Sequence, residues 1–541
     1  KENTTAAYQS FLEVYPEASE REEAKSLYEQ RLFEEFTASH SLASYEQFII
    51  NYPSSPYRKE AERMIFKLRT IHPSVKTYHD FIRKYPGNSF TDEAWRNLYH
   101  LYMKDYDEQL FEKFKREFPD YPFRNELEED YRLQRMIFLP FQKNNQWGYI
   151  DETGKEMIRP QYSDASLFSE GLAAVTLNGK YGYISKAGKT IIPFEYDDAE
   201  TFNAGTAVVA VEGKYGMINR TGKVIIPLEF DELSTPSEGI CTVIKDGMSG
   251  YMTIEGKWLL PPQFDIAGDF KSGHAIVHKD EKAGLINITG RLTVPLLYDH
   301  LFFSAAGLLR VQLNDKWGLL SYDNSIILPI EFNYISGFND GKMVAVKNNK
   351  AFLVNADGSL ASSPFNISSS SARIMFHEGL LVFMFQGRVM VADTAGKSFV
   401  FSNFEDAVFF SEGLLSVKKG NRWGYADRSG KLRIPLKFES AGAFYNGQAV
   451  VRLKKLYGVI DSSGSFRVPP DYRKAELRNF GIEVTASDGG RGLISMDGKI
   501  LIEHEYDKLS LVADRIVAAF KDEEVNYFNL ETQKFIYRQQ P

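Results

Sequence analysis

Six aspartates stand where a chain could do acid–base chemistry: Asp164, Asp197, Asp231, Asp265, Asp299 and Asp507. Each follows an aromatic by one or two residues, as in Tyr196-Asp197 and Phe264-Asp265. Paired carboxylates are the machinery of glycoside hydrolysis. A reaction centre is one asymmetric constellation, whereas these acids recur in copy after copy of a repeating unit, so they are expected to cap turns. His274 and His278 lie four apart on a strand-like run and so share one face. A metal would need at least one further ligand, and none stands at recognisable spacing; a solvated strand face is expected. His72, His79 and His100 are scattered. Cys241 is the single cysteine, which excludes an intramolecular disulfide, and it reads as a small buried hydrophobe. His377 is the only base in the irregular stretch 359–410, beside Ser362-Ser363 and Ser368-Ser-Ser-Ser371. A hydrolase hidden there is one reading; a longer surface loop is the expected one. Phosphate-binding, zinc-protease and nucleophile-elbow motifs are absent. The sequence therefore predicts no catalytic, cofactor-binding or metal residues, no cofactor and no enzyme.

The elements that carry these residues fall into two grammars, changing near residue 140. Before it, apolar residues keep helical spacing; after it, short alternating runs are punctuated by Gly and Pro. The net charge of −8 excludes the basic footprint of a nucleic-acid binder. No apolar run reaches the roughly 20 residues of a membrane span.

The first part repeats Phe11-Leu-Glu-Val-Tyr-Pro16 as Phe48-Ile-Ile-Asn-Tyr-Pro53, Phe81-Ile-Arg-Lys-Tyr-Pro86 and Phe114-Lys-Arg-Glu-Phe-Pro119. Such a period with helical patterning means stacked helix pairs. The proline ends each helix, Ser54-Ser55 and Asn88-Ser89 supply turn or capping groups, and Ala61 and Ala94 let neighbours approach. Tyr45, Tyr78 and Tyr99 are expected to pack between helices, or to line a peptide groove. This pattern resembles the tetratricopeptide-like repeats of bacterial outer-membrane lipoproteins.

In the second part, glycine recurs at 148, 182, 216, 250, 284, 318, 424, 458 and 492, with Phe352 and Met390 in its place in two degenerate copies. Proline recurs in step at 160, 193, 227, 261, 295, 329, 435 and 469. Trp147-Gly148, Trp317-Gly318 and Trp423-Gly424 carry a Trp-Gly dipeptide, and Tyr181-Gly182, Tyr215-Gly216 and Tyr457-Gly458 vary it. In each unit Asn178-Gly179 makes a hairpin, and slots such as Asp427-Arg-Ser-Gly430 make a type I turn. Pro193 is expected to stop the third strand, leaving a three-stranded antiparallel meander and a return segment, Phe194–Gly205. The mid-strand glycine is expected to be covered by a neighbouring repeat's aromatic. The Trp-Gly aromatics are expected to fill the inter-repeat core; the rival reading is that they bind sugar.

This second part resembles the WG-repeat (WG/KWG) family. The expected organisation is a helical tetratricopeptide-like array over 1–138, of about four helix pairs, then a WG β-repeat array over 139–541. About eleven copies of 34 residues are expected, degenerate at 351–400 and after 500. An open superhelix is favoured over a propeller-like ring, because propellers usually have four to eight four-stranded blades. The resemblance implies a non-enzymatic scaffold of the bacterial envelope, as in Bacteroidota, at the periplasm or cell surface, with a protein partner and a lipidated cysteine just before Lys1. Its rival is a carbohydrate- or peptidoglycan-binding module.

Overall fold

A computed structural model describes residues 3–103, 108–304, 307–367, 374–522 and 524–538. Among them are eight helices followed by twelve β-sheets. The helices are α1 Thr5–Val14, α2 Arg21–Phe36, α3 Leu42–Asn51, α4 Arg58–Arg69, α5 Val75–Lys84, α6 Thr91–Tyr102, α7 Glu108–Glu117 and α8 Arg124–Gln134. As the repeated Tyr/Phe-Pro predicts, α1, α3, α5 and α7 each stop two residues before their proline. N-caps fall on Thr4, Ser41 and Ser74, whose side chains accept the N–H of Ala7, Ser44 and Thr77. Ser55 and Asn88 instead serve the turns ahead of α4 and α6, accepting from Tyr57 and Phe90. The refrain's phenylalanine is the packing pivot. Phe48, Phe81 and Phe114 meet Phe33, Phe66 and Tyr99 of the preceding helix edge to face, with centroids 5.1, 5.2 and 5.2 Å apart. Ala61 and Ala94 are fully buried, and so are Tyr45, Tyr78 and Tyr99 to within 4%. No helix among the described residues is long and apolar enough to cross a membrane.

The sheets form a twelve-bladed β-propeller: eleven blades have four antiparallel strands, and the first, over 138–162, has three. Blades 2 to 12 span 164–196, 198–230, 232–264, 266–298, 300–332, 334–366, 374–401, 406–438, 440–472, 474–506 and 508–537. Three expectations need correction. The unit is not a three-stranded meander, because the return segment itself contributes a short first strand, such as Asp198–Ala199. Proline does not stop the last strand: Thr190–Tyr196 runs through Pro193. That strand is the sheet's outer edge and is bulged, which is where a missing N–H is tolerated. Nor is the array an open superhelix. Fully buried tyrosines join successive blades, Tyr251 donating to Gly268 O and Tyr425 to Gly442 O, each at 2.7 Å. Tyr527 of blade 12 occupies the same place and donates to Pro140 O of blade 1 at 2.7 Å. One repeated contact thus makes both the steps and the closure. Asn526 takes the glycine's place in this twelfth copy.

By contacts the chain divides into two compact units. One holds Lys1–Phe138, Ser163–Glu212 and Gly216–Leu228, that is, the helices together with blades 2 and 3 almost entire. The other holds Leu139–Tyr162, Gly213–Tyr215 and Glu229–Pro541. Apolar clusters in the second unit sit between consecutive blades, as where Tyr425, Ile434 and Phe438 of blade 9 meet Phe444, Val451 and Ile460 of blade 10.

Candidate functional site

The repeated aspartates are held by the hairpin that follows them. Asp197 accepts the N–H of Glu212 at 2.8 Å, and Asp231, Asp265, Asp299 and Asp507 accept those of Asp246, Asp280, Asn314 and Asp522 at 2.7 Å. The donating residue in each hairpin has positive φ, near 50°. Lys180, Lys214 and Lys282 pair with Asp197, Asp231 and Asp299 and hold those carboxyls below the usual range. Asp164 lies one residue out of this register. It accepts the N–H of Ala165 and the hydroxyl of Tyr181, as Asp198 does for Ala199.

A second polar device escapes the sequence reading, although its signal, Ser-Glu-Gly, recurs at 169–171, 237–239 and 411–413. The serines donate to the next blade: Ser169 to Phe202 O, Ser237 to Phe270 O and Ser411 to Phe444 O, at 2.6–2.7 Å. The glutamates accept from the next blade's loop. Glu170 binds Gly205 N–H, Glu238 binds Ser272 and Gly273 N–H, and Glu412 binds Gly447 N–H, at 2.7–2.9 Å. Glu378 does the same for Glu412 and Gly413. Each motif staples one blade to the next.

The mid-strand glycine has a different cause from the one expected. Tyr183 faces Ile192 while Tyr181 faces Tyr196, so the outer strand bulges opposite Gly182. A Cβ on Gly182 would stand 2.8 Å from Ile192 O and 2.9 Å from Phe194 Cδ1. The blade's own bulge, not a neighbour's aromatic, excludes the side chain. Phe352 and Met390 replace this glycine in blades 7 and 8; blade 8's outer strand pairs without a register shift, whereas in blade 7 residues 352–353 stand opposite 361–364, between the pairs Ala351–Phe365 and Val354–Leu360. The preceding aromatics, among them Trp147, Tyr181, Trp317, Trp423 and Tyr457, are half-buried at the blade rim. The fully buried aromatics stand one residue after the glycine: Tyr149, Tyr183, Tyr251 and Tyr425.

Within the first unit, cations from blades 2 and 3 meet the C-termini of alternate helices. Lys186 Nζ donates to Gln134 O and Met136 O at 3.0 and 2.7 Å, at the end of α8. Arg220, 1% exposed, donates to Met103 O at 3.0 Å, at the end of α6. Lys223 reaches Thr70 O, at the end of α4, at 3.4 Å. Positive charge there complements the orphan carbonyls and the helix dipole. A cavity of about 80 Å³ lies beside them, lined by His100, Tyr99, Glu126, Asp130 and Lys189 among others. His100 Nδ1 is buried without a hydrogen-bond partner. Burial, with Arg220 and Arg96 nearby, pushes that imidazole down to about 3.

The remaining candidates are dispersed. His274 binds Ser272 O and packs on Tyr322, 4.6 Å away, while His278 is pushed down by burial and by His300. Among the described residues, no three His, Cys, Asp or Glu gather as a cation site requires. His79 packs against Trp95 and Phe118, and His72 is exposed. Cys241 is fully buried, its thiol pushed up to about 12 by burial. The stretch 359–410 is not a long loop: it contains blade 8. His377 lies in that blade's first strand, its ring 5.2 Å from Phe409. Ser362 bonds Ser363 O, and Ser368–Ser371 lie outside the described residues.

The family described as WG containing repeat matches residues 147–181, 181–215, 215–248, 250–282, 284–317, 317–350, 391–423 and 423–457. The chain is a WG-repeat protein. The matches skip 351–390, where Phe352 and Met390 replace the glycine, and they do not reach 458–541, which holds blades 11 and 12. No curated protein matches this WG-repeat chain in sequence. Among solved structures it is similar to a eukaryotic initiation factor at 10% identity and TM-score 0.31, over 60% of this chain and 96% of that one. It is also similar to Hsv2 of Kluyveromyces lactis at 9% identity and TM-score 0.26, over 49% and 93%.

Proposed function

We propose that this WG-repeat protein is a non-enzymatic interaction scaffold of the bacterial envelope, of the Bacteroidota type. Tetratricopeptide-like helices dock a partner protein, and the propeller presents a second, extended surface. The observation that supports this is how the candidate catalytic groups are used. The repeated aspartates bind hairpin amides, and the Ser-Glu-Gly groups bind the next blade. What the array offers outward is surface that grows with copy number, which suits recognition of a macromolecule. Placement at the periplasm or cell surface follows from the resemblance of both halves to envelope proteins.

Cross-linking and affinity purification of the native protein from the envelope fraction should return one reproducible protein partner. Absence of any partner, together with turnover in a hydrolase panel, would sink the reading.

Blade 6 favours a carbohydrate reading at one place. Phe302, 42% exposed, stacks on Trp317 at 5.9 Å, and the Arg310 guanidinium on the neighbouring strand lies 5.7 Å from its ring centroid. Exposed aromatic faces stack on sugars; glycan-array binding lost in Phe302→Ala would support this, and no binding by the parent protein would retire it.

A further inference from the structure

Eight outer strands carry a proline, and seven of them show a bulge against their neighbours, as Thr190–Tyr196 and Leu432–Phe438 do. Blade 11's outer strand, Ile500–Tyr506, is bulged and carries Glu503, His504 and Glu505. Proline, bulges and charges all blunt a sheet edge against pairing with another chain. Blade 8 uses none of them. Its outer strand, Ser398–Phe401, pairs one for one with Val389–Ala392 and contains neither proline nor charge. Ser398, Phe399 and Val400 are exposed, the last two by 43% and 49%. Antiparallel pairs alternate between hydrogen-bonded and non-hydrogen-bonded. Asp393 N–H donates to Lys397 O at the turn. The bonded pairs are therefore Val391–Phe399 and Val389–Phe401, and the N–H and C=O of Ser398 and Val400 point away from the sheet.

Two cations bracket this edge. Lys397 precedes it, with its ammonium 5.1 Å from the Phe399 ring, and Arg388 adjoins the far end, next to Val389 opposite Phe401. Both are exposed, and neither joins an ion pair among the described residues.

We propose that blade 8's outer strand receives an extended segment of a partner protein as an added β-strand, apolar at adjacent central positions and acidic at both ends. The open main-chain groups call for a strand. Phe399 and Val400, on opposite faces, call for apolar side chains on each face. The two cations call for acidic flanks. A second copy of this chain fits worse, since antiparallel self-pairing would bring Lys397 of one copy near Arg388 of the other. The assignment rests on the scaffold reading and gives it one location.

Two synthetic peptides test it on the intact protein, with the same Thr-Val-Val-Thr core flanked by Glu in one and by Lys in the other. The Glu-flanked peptide should bind and slow amide exchange over 398–401. The Lys-flanked peptide should bind about tenfold more weakly or not at all. Val400→Pro removes an outward N–H that the sheet does not use, and should weaken binding about tenfold at an unchanged melting temperature. Lys397→Glu with Arg388→Glu, both at exposed positions, should reverse the peptide preference; if Val400→Pro lowers the melting temperature, this double variant decides alone. Equal binding of both peptides, no binding, or protection elsewhere overturns the proposal. If a native partner co-purifies equally with the parent and Val400→Pro while the peptides fail, the edge assignment falls and the scaffold stands. Peptide binding with no native partner sinks the scaffold alone.

Discussion

At the residue scale, Gly424 and Gly87 are a controlled pair. A Cβ on Gly424 would stand 2.5 Å from Ile434 O in the bulge of its own blade, whereas one on Gly87 meets nothing within 4 Å. Gly424→Ala should cost about 2 kcal/mol, because backbone on the far side of a bulge yields little. Gly87→Ala should stay within about 0.5 kcal/mol. Calorimetric melting of both variants checks this; equal effects would mean that the glycine serves something other than the bulge. Tyr251→Phe leaves Gly268 O without its buried donor and should cost about 1–2 kcal/mol by the same measurement. The sequence marks Gly424 and Tyr251 by periodicity, and the turn role of the aspartates was legible because most copies carry an acid in that slot. The reason for the glycine was not legible, since a bulge needs a strand to continue past its proline, and proline reads as a stop. The Ser-Glu-Gly staple was visible as a recurring triplet, but its partners lie 33 to 35 residues away, on the next blade.

At the element scale, the helices and blades 2 and 3 share one compact unit because blade residues cap helix ends. Slots that hold Glu152 or Ser462 in other copies hold Lys186 and Arg220 here, a departure in sequence whose purpose only the helix ends reveal. Lys186→Met removes the donor to two carbonyls at the end of α8 and should cost about 1–2 kcal/mol. Hydrogen exchange should rise first over α8; uniform change across all helices would contradict the assignment. The same region should make stability depend on acid. His100 has its folded value pushed down to about 3 from an ordinary 6.5, so between those values the folded protein binds fewer protons than the unfolded one. Stability therefore increases with pH across that window, is complete above about 6.5 and is lost towards 3. Arg96 and Arg220 reinforce the effect by repelling an imidazolium. His100→Phe should flatten the dependence between pH 4.5 and 6.5, above the range where most carboxylates titrate. Denaturant melts followed by the helical circular dichroism signal check this, and parallel curves for variant and parent would refute it.

At the scale of the whole molecule, the two-part order of helices and β-repeats is legible because period and punctuation change together near residue 140. The repeat count fell one short because Asn526 stands where the frame expects glycine, and closure was missed because the turn from one blade to the next leaves no mark on a single repeat. Closure makes a distinct prediction. In an open solenoid, each repeat touches only its neighbours, so losing the last one costs one interface. Here blade 12 also supports blade 1: Tyr527 and Tyr537 donate to Pro140 O and Gln142 O, Tyr537 packs on Phe141 at 5.4 Å, and Arg515 pairs with Glu152 at 2.9 Å. Deleting 508–541 would bare Leu139 and Phe141 of blade 1 and the buried face of blade 11 around Leu493 and Ile502. Two apolar faces exposed at once, each with an unpaired polar rim, favour association. The truncated protein should therefore elute as oligomers in size-exclusion chromatography and melt below the parent. Tyr527→Phe should elute as the parent does and lose only about 1–2 kcal/mol. A truncated chain that keeps the parent's association state with an unshifted transition would show that blades 12 and 1 do not hold each other.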